Sequence, residues 1–231
     1  MKIIAANFKM NGDREFIDNW FQNFDANTEN LVVVGLPAIY LESSVQNFNK
    51  SHFKIAAQNV SKFNNPGAYT GQMSSAMLND VGVEFCIVGH SEAREHLCED
   101  NQSVYEKYSC LKSFSITPIV CIGESLEVRE ANNHLDFISD QIEKFNTAED
   151  KIIFAYEPIW AIGTGLVPTQ EQIEEMSSHI KSHFSQQVTV LYGGSVNSKN
   201  SSEILNMNNI GGVLVGGASL NAEEFANIAQ S

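Results

Sequence analysis

The chain of 231 residues has 43% hydrophobic and 18% charged side chains, the balance of a globular protein with one sizeable core rather than a disordered one. A formal net charge of −14 with no basic stripe argues against a nucleic-acid partner, and no apolar run approaches the roughly 18 residues that span a membrane. Cys86, Cys98, Cys110 and Cys121 show neither CxxC spacing nor disulfide-scaffold density, so a soluble, unexported protein of the reducing cytoplasm is expected.

Along the chain, short apolar segments alternate with helical patterns. MKIIAANFKMNG lacks a cleavage region and reads as a first strand, IIAANFK (3–9). Asp13 follows as the N-cap of a helix whose Phe16, Ile17, Trp20, Phe21 and Phe24 share one face. Strand-like runs continue as LVVVGL (31–36), FKIAAQNV (53–60), EFCIVGH (84–90), ITPIVCIGE (116–124) and KIIFAYE (151–157). Thr169 and Gln172 predict a capping box, with Ile173, Met176, Ile180 and Phe184 as the apolar face behind it. VTVLYGG (188–194) and GVLVGG (212–217) complete eight strands, and Asn221 and Glu224 stand in the same capping relation before the last helix.

Several of these runs are apolar without alternation, as strands covered on both faces are. Eight β-then-α units without a linker predict an α/β fold, a closed (β/α)8 barrel forming one domain over residues 1–231. An open doubly wound sheet is the competing architecture.

In a barrel the chemistry belongs at the strand C-termini. Those ends hold Asn7, Lys9, His90-Ser91-Glu92, Glu124, Glu157, Gly193-Gly194-Ser195 and Gly216-Gly217. Ser195, Gly216 and Gly217 follow the last two strands, where backbone N–H groups and helix N-termini suit a phosphate; singly, each turn could equally be a tight closure. Lys9 is the one Lys or Arg in these rim segments and can offset the acidic surface locally, although an isolated lysine there is commonly solvated. His90, ahead of a helix, is expected to be neutral because the helix N-terminus lowers its pKa; a lone histidine is more commonly just buried and satisfied.

Glu157 is the single acid in AYEPIWAIGTG (155–165). Beside Ile159 and Trp160, partial desolvation would raise its pKa toward the operating pH and make it a general base; a salt-bridged strand-end glutamate is the equal alternative. His179 and His183 with Glu175 have metal-like spacing but lie in a polar stretch that reads as a solvated face, so no metal is assigned. Cys121 reads as core.

AANFKMNG, GHSE, AYEPIWAIGTG, YGGSV and LVGGASL together resemble the triosephosphate isomerase family, end to end. The resemblance implies a TIM barrel and a glycolytic and gluconeogenic enzyme. It would interconvert dihydroxyacetone phosphate and D-glyceraldehyde 3-phosphate through an enediolate, with neither metal nor organic cofactor. It implies Glu157 as the base, His90 as the neutral electrophile, and Asn7 and Lys9 as stabilisers of developing oxygen charge, with Glu92 beside them. Gly163, Ser195, Gly216 and Gly217 match its phosphate-binding positions.

The resemblance further makes residues 158–168 a lid, hinged at Pro158-Ile159-Trp160 and Leu166-Val167-Pro168, that would keep water from an intermediate prone to lose phosphate. It makes QNVSKFNNPGAYTGQ (58–72) a loop that docks into a second subunit of a homodimer, with Thr70 as a contact. Ala93, Gln72, Thr189, Gly211 and Leu166 depart from the family's usual Arg, Glu, Arg, Asp and Lys or Arg. Two readings compete: another phosphosugar enzyme on the same barrel, either an aldolase using Lys9 as a Schiff-base amine or a biosynthetic isomerase, and a non-catalytic barrel retained for binding a partner.

Overall fold

A computed structural model describes residues 1–147, 151–162, 166–185 and 187–231. The strands are β1 Ile3–Asn7, β2 Leu31–Leu36, β3 Phe53–Ala57, β4 Phe85–Val88, β5 Thr117–Ile122, β6 Ile152–Tyr156, β7 Val188–Tyr192 and β8 Gly212–Val215. The helices are α1 Arg14–Asn23, α2 Leu41–Phe48, α3 Ser75–Asp80, α4 Ser91–Leu97, α5 Asn101–Lys112, α6 Leu126–Glu130, α7 His134–Ile142, α8 Gln170–Ser182, α9 Ser201–Leu205 and α10 Ala222–Ala229.

Each strand pairs in parallel with its sequence neighbours, and β8 returns to β1 from Ile3↔Gly212 to Ala6↔Val215. That last pairing excludes the open sheet and makes the molecule a closed (β/α)8 barrel. Alternation along the strands divides the apolar residues into two layers. Ala5, Val33, Ile87, Cys121, Ala155 and Leu191 fill the interior. Ile4, Val34, Val88, Val120, Phe154 and Tyr192 face outward, under the helices. Both sets are buried, hence the unbroken apolar runs in the sequence.

Local signals set the helix starts. The Asp13 carboxylate accepts from the Phe16 N–H at 2.8 Å. Thr169 and Gln172 form both halves of the capping box. At α10 only half forms: Asn221 accepts from the Glu224 N–H at 2.9 Å. The Glu224 carboxylate is drawn off to the Ser198 N–H (2.7 Å) and hydroxyl (3.0 Å), where it pins the loop after β7. Trp20 Nε1 likewise donates to the Ser219 carbonyl at 2.8 Å and pins the loop after β8.

The ladders stop short of the strand ends that the apolar runs predict. Phe8, Lys9, Gly89, His90, Gly123, Glu124, Glu157, Gly193, Gly194, Gly216 and Gly217 all lie beyond their strands. Apolar periodicity carries the eye through these residues, but their backbone turns out of the sheet to form the mouth.

Gly212 closes the seam, and a Cβ there would lie 1.9 Å from the Ile3 carbonyl oxygen. The clash is with ladder backbone, which cannot rotate away. Gly212→Ala is therefore expected to destabilise the fold by about 3 kcal/mol or more in urea unfolding. An unchanged midpoint would mean that the seam can widen.

Candidate active site

A cleft of about 500 Å³ opens at the C-terminal mouth, lined among others by Asn7, Lys9, His90, Glu157, Ser195 and Gly216. Asn7 leaves β1 almost buried, and its Oδ1 accepts from the Lys9 N–H (3.0 Å) and from Gln58 Nε2 (3.2 Å). Lys9 has a φ of 54°, a left-handed backbone that disfavours a side chain. The turn points its ammonium into the mouth, 2.6 Å from Glu92 Oε1.

His90 caps α4. Its Nδ1 accepts from the Glu92 N–H at 3.2 Å, which leaves the proton of the neutral ring on Nε2. Nε2 lies 2.9 Å from Glu157 Oε1. The other carboxylate oxygen accepts from the Ser91 N–H at 3.1 Å. Glu157 is only 2% exposed, so the acid sits in a nearly dry setting with two hydrogen-bond donors.

The pKa of His90 departs from the sequence expectation. Burial of the ring pulls it down, but the Glu157 carboxylate at Nε2, with Glu92 adding, more than offsets this, and the net direction is upward. The helix N-terminus acts through the Glu92 N–H at Nδ1, while a tertiary contact that sequence position does not announce acts at the other nitrogen. Burial, reinforced by Glu157, pushes the Cys121 thiol well up, as suits a packed group rather than a nucleophile.

On the opposite wall, Gly216 and Gly217 follow β8, and a Cβ on Gly217 would meet nothing within 4 Å. Packing does not require glycine there; its effect is to leave the cleft open. Ser195 donates its hydroxyl to the Ala161 carbonyl at 2.9 Å, tying the loop after β7 to the segment after β6. Gly163, with Thr164 and Gly165 of the expected lid tip, lies outside the described residues.

Position along the chain singled out the rim residue Glu124 but gave it no task. It is fully buried, and its Oε1 accepts from Tyr156 Oη (2.9 Å), Trp160 Nε1 (3.0 Å) and Arg129 Nε (3.1 Å). The available signal was an arginine one helical turn beyond a strand-end acid. Glu175 turns to Arg129 at 3.1 Å, whereas His179 contacts Ser139 Oγ and the Leu135 carbonyl, so their spacing does not converge.

Thr70 is not among the residues that line this cleft. It lies on an exposed loop where Phe63 and Tyr69 stack at 3.9 Å and an interplanar angle of 5°. Among the described residues, no helix is long and apolar enough to cross a membrane.

A closed barrel with an acid, an imidazole and an ammonium gathered at its C-terminal mouth defines an enzyme of the (β/α)8 class. The sequence profile of the triosephosphate isomerase family matches residues 2–231. A triosephosphate isomerase of Alkaliphilus oremlandii is 42% identical over 98% of this chain and 97% of its own length. One from Neurospora crassa is 41% identical over 95% and 94%, and one from Shewanella frigidimarina 38% over 98% and 95%. The chain belongs to the triosephosphate isomerase family, an isomerase family whose substrate is a phosphorylated triose.

The upward shift of His90 has a checkable origin. The carboxylate's stabilisation of the charged ring is fully present below the ordinary histidine value of 6.5 and is lost as pH rises through the higher folded pKa. In ring-proton NMR, His90 of the free protein should titrate above that value, and Glu157→Gln should move it down. A titration unmoved by Glu157→Gln would mean that the contact does not set it.

Proposed function

We propose that this chain interconverts dihydroxyacetone phosphate and D-glyceraldehyde 3-phosphate, with Glu157 as the base and neutral His90 as the electrophile. The observation that carries this reading is the 2.9 Å approach of Glu157 Oε1 to His90 Nε2, both side chains nearly buried at the wall of the cleft. With substrate between them, the carboxylate takes a proton from the carbon beside the carbonyl while Nε2–H donates to the carbonyl oxygen. Glu157 then returns a proton to the former carbonyl carbon while the hydroxyl proton passes from one substrate oxygen to the other, which completes the isomerisation. No electrons leave the substrate, so the cycle calls for no external redox partner, and the carbonyl is polarised by His90 Nε2–H.

Substrate entry parts Glu157 from His90. The influence that raises the ring's pKa then weakens, while the Glu92 N–H remains at Nδ1 and favours the neutral electrophile. Lys9 and Asn7 stabilise charge developing on the oxygens, and Glu92 fixes the Lys9 ammonium. That 2.6 Å pairing suits a fixed charge better than the free amine a Schiff-base aldolase needs. The Ser195, Gly216 and Gly217 backbone, joined by Gly163, holds the phosphate, and with Lys9 it supplies the local attraction that a chain of net charge −14 requires.

Residues 158–168 act as the lid and residues 1–231 as one catalytic domain, working in the cytoplasm. The working form is a homodimer in which Thr70 enters the partner. Met10 and Leu97 are exposed apolar residues of a depression that shares Asn7, Lys9 and His90 with the cleft, as a covered surface would have them.

Glu157→Gln should lower turnover by about 10²–10⁴-fold in a coupled isomerase assay while leaving a phosphate-bearing inhibitor bound as before. Near-parental turnover would refute the base. Deleting residues 64 to 69 should yield monomers of low activity in sedimentation; a persistent dimer would remove the loop from the interface.

A further inference from the structure

We infer that Arg129 is a positioning residue for Glu157, aiming the carboxylate through a hydrogen-bond network on the outer side of the barrel. The inference rests on the reading of Glu157 as the base. Two polar aromatic residues bracket Glu157 in the chain, Tyr156 immediately before it and Trp160 three residues after. Both end on one oxygen, Glu124 Oε1, at 2.9 and 3.0 Å, and the Ile159 N–H donates to the Glu124 carbonyl at 3.1 Å. The segment carrying the base is therefore held at both ends by Glu124.

Arg129 holds Glu124 in turn. Its Nε donates to Glu124 Oε1 at 3.1 Å, Nη2 to Tyr156 Oη at 3.0 Å and Nη1 to Glu175 Oε2 at 3.1 Å. A fully buried carboxylate needs a compensating cation, and here that cation also grips the residue preceding the base. Its third bond reaches α8, the helix entered from residues 166–169, and His134 Nε2 lies 3.3 Å from the same Glu175 oxygen. The guanidinium fork serves three diverging acceptors; a lysine ammonium supplies the charge but cannot span all three. None of these contacts touches Ser195, Gly216 or Gly217 directly; the phosphate side is reached only at one remove, through the Ala161 carbonyl beside Trp160 that Ser195 holds.

Arg129→Lys and Glu175→Gln separate aim from charge. With both proteins assayed well below their unfolding temperatures, Arg129→Lys should lower kcat by about tenfold or more, since a misplaced reacting group loses rate steeply. Affinity for a phosphate-bearing inhibitor should stay within about twofold. Glu175→Gln, at a half-exposed position, should lower kcat by about two- to threefold. In a Glu157→Gln background, Arg129→Lys should change the residual rate by less than about twofold, because a group acting through Glu157 has nothing left to aim.

Parental kcat in folded Arg129→Lys overturns the proposal, as does an equal loss of kcat and inhibitor affinity, which marks general loosening. If Arg129→Lys does not fold, Glu175→Gln decides: unchanged kcat there overturns the proposal. Full turnover by Glu157→Gln would sink the base reading itself, a result distinct from an inactive Glu157→Gln beside unaffected Arg129 and Glu175 variants.

Discussion

A carboxylate kept from water must be supported by its surroundings, and the mouth of this barrel is organised around that demand. Glu157 has an imidazole on one oxygen and a backbone N–H on the other. The turn from β4 into α4 supplies both, through His90 and Ser91. β4 and β6 each pair with β5, so the closed sheet fixes how far apart the two loops stand. The placement of the two loops is thus a property of the barrel as much as of the residues themselves.

Much of this was legible in the sequence, for reasons that differ from residue to residue. The unalternating runs reported strands buried on both faces, and a Thr–Gln spacing reported a capping box, because these signals are local. Asn7, Lys9, His90 and Glu157 stood out because a barrel presents the residues at the C-terminal ends of its strands to the mouth. The hidden parts depend on convergence across the chain. Nothing near Tyr156 or Trp160 says that both end on Glu124, and nothing near His90 says that a carboxylate will outweigh burial and a helix N-terminus. Glu224 had the spacing for a reciprocal cap, but Ser198 offered its carboxylate two donors.

The departures from the family pattern fall outside this core. A Cβ on Gly211 would lie 2.5 Å from the Thr189 methyl, so these two departures meet in one place. Ala93 lies beside His96 and Leu97 in a second depression next to the site, and its absent guanidinium leaves the Lys9–Glu92–His90 contacts intact. Exposed charges contribute little, so exchanges of this kind are tolerated where a change at the buried Glu124 would not be.

The backbone at Lys9 sets stability against the charge of the mouth. A left-handed conformation disfavours a side-chain-bearing residue by about 1–2 kcal/mol, and glycine would relieve that strain. Glycine would also remove the ammonium. Selection for robustness alone would therefore drift toward glycine at residue 9, and the lysine marks a place where the molecule accepts a softer fold in exchange for a charged mouth.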